Sequence, residues 1–149
     1  MTIARHSMIQ SNHDAAWLSL SIDNCALWSA VTRLEWWSRW HPSWRAHGPE
    51  RLTHIGQSFV LTGPCEQTRC EVSGIWSPNY LQWGSRIGGA ADGAADWWTE
   101  LGMLPEGDRT LTFVRVGARV TPAAAPGRVP SARSLIRTLR ATLERTPKA

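Results

Sequence analysis

The chain has little of what marks secreted, metal-binding or membrane-spanning proteins. It holds 3 cysteines in 149 residues. These are Cys25, Cys65 and Cys70, an odd set without a Cys-x-x-Cys motif, which argues against a disulfide framework and a zinc site. Cys65 and Cys70 could meet across a turn, but no base partner marks any of the three as a nucleophile. The spacing of His41, His47 and His54 fits no metal-ligand pattern, so neither a metal nor a cofactor is expected. No apolar run approaches the roughly 18 residues of a membrane span. Residues 1–14 are polar, with no apolar signal-peptide core, and read as a flexible lead-in to a cytoplasmic protein. There is no internal repeat, and the length fits one domain, 1–149.

Acidic residues are scarce toward the C-terminal end. From Arg115 to Ala149 there are eight basic residues and one acidic residue, Glu144, a local +7. Residues 1–114 therefore carry −3 of the total +4. Such a segment can bind nucleic acid or anionic lipid. Here Arg133, Arg137 and Arg140 space onto one side of a helix, which reads as a solvated face, and nucleic acid is not the expected partner.

Tryptophan is what the chain has in excess. There are 10, and five of them, Trp28, Trp36, Trp37, Trp40 and Trp44, fall within one short stretch. A core is filled more simply by Leu, Ile and Val, whereas each Trp brings a flat surface and an N–H that needs a partner. The set reads either as core or as the walls of a cavity for a flat, apolar molecule.

Periodicity divides the chain into short elements. Trp17–Ile22 alternates as a half-buried strand. Asp23-Asn24 offers an N-cap for a helix over Asn24–Arg33, with Leu27, Trp28, Val31 and Leu34 at helical spacing. A second short helix over Glu35–Trp40 is stopped by His41-Pro42. Strands follow at Gln57–Thr62, Thr68–Trp76, Tyr80–Ile87, Asp96–Leu104 and Arg109–Val116, separated by turn signals and by a Gly/Ala-rich loop over 88–95. A Pro/Ala-rich linker over 117–130 leads to an amphipathic helix, 131–145, whose stripe is Leu135, Leu139 and Leu143 with Ala132 and Ile136 beside it.

Three stretches carry a family resemblance. They are Asp23-Asn24-Cys25-Ala26-Leu27-Trp28-Ser29-Ala30-Val31-Thr32; Trp36-Trp37-Ser38-Arg39-Trp40-His41-Pro42 with the later Ile55-Gly56-Gln57-Ser58-Phe59; and Ser77-Pro78-Asn79-Tyr80-Leu81-Gln82-Trp83. In this order the chain resembles the START-like superfamily, also called helix-grip or SRPBCC, and within it the polyketide cyclase/dehydrase branch. The resemblance implies an α+β helix-grip fold: a curved antiparallel sheet around a C-terminal helix, with two small helices after the first strand. It also implies a deep apolar cavity whose mouth the small helices help form. Members bind lipids, sterols, hormones or polyketides, and some close rings or dehydrate. No catalytic residue is shared across the superfamily. This chain departs from the pattern in its long linker and short final helix, so the pocket is expected to be open or to be closed by the partner in a homodimer.

In that architecture the most apolar alternation turns Phe59, Cys70, Val72, Trp76, Leu81, Trp83, Ser85, Trp97, Thr99 and Leu101 inward. With Trp28, Trp40, Leu135 and Leu139 these are the candidate ligand contacts, a mostly apolar lining with a few polar groups. His41 is the candidate general acid/base, because histidine titrates near working pH; as a plain residue it would be a surface histidine ending a helix. Arg115 would stabilise an enolate or carboxylate if it points inward, and is a rim charge if it does not. Trp97 and Trp98 are both large and apolar, so reversing that strand would bring Asp96 and Glu100 inward as an acid/base pair. Two functions follow: a cyclase, with or without dehydration, that folds an aromatic or polyketide-like intermediate by confinement, or a non-catalytic carrier of a hydrophobic small molecule. An interaction module using the arginine-rich helix is a third.

Overall fold

The computed structural model describes residues 10–12, 14–40, 45–63, 67–85, 97–118 and 131–145. Its strands are β1 (Gln10–Asn12), β2 (Ala15–Leu20), β3 (Arg45–His47), β4 (Ser58–Thr62), β5 (Gln67–Trp76), β6 (Tyr80–Ser85), β7 (Trp97–Glu106) and β8 (Arg109–Ala118). The helices are α1 (Asn24–Thr32), α2 (Leu34–Trp40) and α3 (Ala132–Arg145). All eight strands form one antiparallel sheet in the order β1-β2-β8-β7-β6-β5-β4-β3. The sheet curves, and α3 packs against β2, β8 and α2. This is the α+β helix-grip arrangement.

Two short strands add to the expected set. Gln10–Asn12 pairs with β2 as an edge strand, so part of the expected N-terminal lead-in is ordered and the small helices follow the second strand. Arg45–His47 pairs with β4 at the opposite edge. At three residues each, neither is long enough to show the alternation that reveals a strand in sequence. The helix-stopping His41-Pro42, Trp44, Cys65, Asp96, the loop 88–95 and linker residues 119–130 lie outside the described residues.

Local chemistry places the helices. Asp23 caps α1, its carboxylate accepting from Ala26 N at 3.0 Å, as expected for an N-cap aspartate. Ser131 caps α3 in the same way, accepting from Ser134 N at 3.1 Å. The first turn of α3 is also tied to the far end of the chain, where Ala132 N donates to Asp14 Oδ1 at 2.9 Å. Ala132, Leu135, Ile136 and Leu139 are buried, while Arg133 and Arg137 are exposed. The apolar stripe is thus what the helix lays on the sheet. Among the described residues, no helix is long and apolar enough to cross a membrane.

Among the described strands, β5 departs from simple alternation. Its pairing with β6 shifts between Val72 and Gly74, a β-bulge in which Ser73 is the extra residue. Before the bulge Cys70 and Val72 face inward; after it Ile75 does, opposite Leu81, and Trp76 turns outward opposite Tyr80. Trp76 is 75% exposed. Its expected place in the lining is therefore corrected, because an inserted residue reverses the facing of everything beyond it.

Candidate functional site

The inner face of the sheet is ordered in rows, because cross-strand partners share a face. One row runs Phe59, Cys70, Ser85, Trp97 across β4 to β7. The next runs Val72, Trp83, Thr99, Val116, and a third runs Ile75, Leu81, Leu101, Val114, Ala16. Leu135 and Leu139 of α3 belong to the same buried cluster. Phe59, Trp83, Ser85, Trp97, Thr99, Trp40, Leu135 and Leu139 are all buried, and Trp28 is half-buried against the cluster.

An aromatic knot closes one side of this face. The Trp37 ring lies 4.9 Å from Trp40, 5.1 Å from Phe59 and 4.8 Å from Trp83, centroid to centroid. The contacts with Phe59 and Trp83 are edge-on, which suits the ring quadrupoles, and Trp40 meets Trp83 edge-on at 6.2 Å. The Trp37 indole N–H donates to Val31 O at 2.9 Å. Trp37 was not among the expected contacts, although Leu34, Trp37 and Trp40 share the i, i+3 spacing of one helix face and all three are buried. α2 is pinned above α3 by hydroxyls: Thr142 Oγ1 donates to Arg39 O at 2.6 Å, and Thr138 Oγ1 donates to Trp40 O.

The inner face is neutral, but its hydrogen bonding is incomplete. Among the described residues, Trp83 Nε1, Ser85 Oγ and Thr112 Oγ1 are buried with no hydrogen-bond partner. Thr112 was also missed from sequence; it shares its face with Thr110 and Val114, and Thr110 Oγ1 donates to Ile22 O at 2.7 Å. Cys70 faces inward too, and burial pushes its thiol up to about 12, so the thiolate needed for nucleophilic attack is not formed near neutral pH.

The charged residues lie elsewhere. Arg115 sits on the outer face, its side chain 62% exposed, and its Nε donates to Glu100 Oε2 at 2.5 Å. Tyr80 Oη donates to the other carboxylate oxygen at 2.6 Å. Burial, followed by the hydrogen bond and charge of Glu100, holds the Tyr80 phenol well above its ordinary value. The hydrogen bond to Glu100 and its charge likewise raise Arg115. The expectation that Arg115 could reach a ligand on the inner face is corrected by β8 register: Arg115 pairs with Glu100 and Ala15, while Val114 and Val116 turn inward. Trp97 is buried and Trp98 faces outward with Glu100, so the reversed facing of β7 does not occur. His41 lies outside the described residues. His47 is exposed on β3 and His54 on the following loop. Among the described residues no three His, Cys, Asp or Glu side chains gather as a metal site.

The sequence matches no protein-family model and no curated protein. Solved structures are similar in fold. Protein MLL2253 from Mesorhizobium loti superposes with a TM-score of 0.67 at 17% identity, over 90% of this chain and 99% of that one. CalU16 from Micromonospora echinospora gives 0.58 at 16% identity, over 92% of this chain and 85% of that one. DynU16, from the dynemicin biosynthetic locus, gives 0.61 at 17% identity, over 90% of this chain and 48% of that one. At these identities the likeness is one of fold.

Proposed function

We propose that this chain binds a largely apolar small molecule between the inner face of the sheet and α3. The observation that carries the reading is a neutral inner face left with unmet polar groups. Every charged side chain of the described strands turns outward, while Trp83, Ser85 and Thr112 each keep a buried polar atom without a partner. An unmet buried donor or acceptor costs about 1–3 kcal/mol, and native cores rarely keep several. A ligand with an apolar body and a few acceptors would recover that cost. Titrating the purified chain with apolar aromatic probes while following tryptophan fluorescence tests this. Saturable quenching is expected, and its absence across a range of ring sizes would sink the proposal.

A second reading is a cyclase, with or without loss of water, acting on an aromatic or polyketide-like intermediate. It is favoured by the fold shared with DynU16 of a biosynthetic locus and by the neutral lining. Holding a flexible chain in one reactive shape removes an entropy barrier of up to roughly 7–11 kcal/mol without any strong acid or base. His41 is the acid/base candidate in this reading. Deleting the gene, isolating the compound that accumulates and incubating it with the protein separates the two readings. A product of equal mass, or of that mass less one water, marks ring closure. An unchanged compound that co-purifies marks a carrier.

A further inference from the structure

Resting on the binding reading, we infer that Trp83 and Ser85 form a subsite for a neutral oxygen acceptor of the ligand, and that this pair discriminates between ligands. The two residues stand two positions apart on β6, so their side chains leave the same face about 7 Å apart along the strand. Both are 1% exposed. Trp83 Nε1 can only donate, and Ser85 Oγ can donate or accept.

Their surroundings do not satisfy them. Trp83 lies between Val72 and Thr99, and Ser85 between Cys70 and Trp97. Val72 has no polar side-chain atom, and the Cys70 thiol is turned to Thr68 O at 3.9 Å. An oxygen carried on an apolar ring system supplies the missing acceptor and fills the apolar space together. The subsite also selects by charge. The described residues of the inner face include no cation, and an unpaired anion buried there bears a large desolvation cost. Arg69 of β5 and Arg115 of β8 are both on the other face, Arg115 engaged with Glu100. The acceptor is therefore a neutral carbonyl or hydroxyl oxygen rather than a carboxylate or phosphate.

Three probes of nearly one shape test this: fluorene, 9-fluorenone and fluorene-9-carboxylate, titrated into the full chain by calorimetry. 9-Fluorenone is expected to bind about tenfold more tightly than fluorene, since each hydrogen bond contributes about two- to tenfold, and the carboxylate is expected to bind most weakly. The ketone stretch of bound 9-fluorenone should move to lower frequency, as hydrogen bonding to a carbonyl requires. Ser85→Ala and Trp83→Phe should each bring the ketone-to-hydrocarbon ratio toward one and reverse part of the frequency shift. Ser85→Ala keeps the test decisive if Trp83→Phe disturbs the aromatic knot. Equal binding of fluorene and 9-fluorenone, or an unshifted ketone stretch, overturns the subsite and leaves the binding reading standing. Tightest binding by the carboxylate overturns the selection for neutral ligands. Failure of all three to bind overturns both.

Discussion

Phe113 lies across Gly102 on the outer face of the sheet. The two are direct cross-strand partners on β8 and β7, and a Cβ added at Gly102 would collide with the Phe113 ring. Trp98 covers Gly117 in the same way two rows along. Between them stand Glu100 and Arg115, so the solvent side of β7 and β8 is an ion pair set between two rings laid on glycines.

Gly102→Ala should therefore destabilise the fold by about 1–3 kcal/mol, as overpacking does, since the ring must leave its seat. Denaturant unfolding measures it. In a Phe113→Ala background the same substitution should cost much less, because the clash is gone. Equal cost in both backgrounds would show that the ring is not the obstacle.

Arg115→Ala should cost about 1 kcal/mol or less, the range of exposed ion pairs, because Glu100 keeps the Tyr80 hydroxyl. Ligand affinity should be unchanged, since Arg115 is on the face away from the lining. A large loss of affinity in this variant would return Arg115 to the site.

Tyr80 makes a clean pH probe, as the chain has 1 tyrosine. Burial first and Glu100 second raise its folded-state value above the ordinary one. A raised value means that the folded chain holds the proton more tightly. The associated stability is whole below about pH 10, the ordinary tyrosine value, and is lost as pH rises through the folded-state value. The tyrosinate band in the ultraviolet should thus appear later in the folded protein than in denaturant. Glu100→Gln should bring it part of the way back, with burial keeping the remainder.

The cysteines should separate by reactivity. Cys25 is exposed, whereas Cys70 is buried with its thiol pushed up to about 12. In a Cys65→Ser background, alkylation near pH 8 should modify Cys25 quickly and Cys70 only on unfolding. Rapid labelling of Cys70 in the folded chain would mean that the inner face opens to solvent.

Several of these features were legible in the residues themselves. The period-2 runs of β2, β4 and β6 identify their buried members, Leu18, Phe59, Leu61, Leu81 and Trp83, and Asp23 announces the start of α1. The 3.6-residue stripe of α3 marks Leu135 and Leu139 as its packed side. These follow from local geometry, since alternation and helical repeat fix which side chains share a face whatever the rest of the chain does.

Tertiary structure decided the rest. The bulge at Ser73 turned Trp76 out to solvent, and no local pattern announces one extra residue in a strand. The choice between Trp97 and Trp98 could not be made from two adjacent indoles. It is consistent with their cross-strand neighbours: Gly117 leaves room for Trp98 outside, while Ser85 stands opposite Trp97 within. Arg115 was assigned outward by the same register. The aromatic knot joins α2 to β4 and β6, and Trp83 and Ser85 lack partners because of what lies on the adjacent strands. Periodicity sets the facing of a residue within its own element, but contacts between distant segments exist only once the sheet has closed around α3.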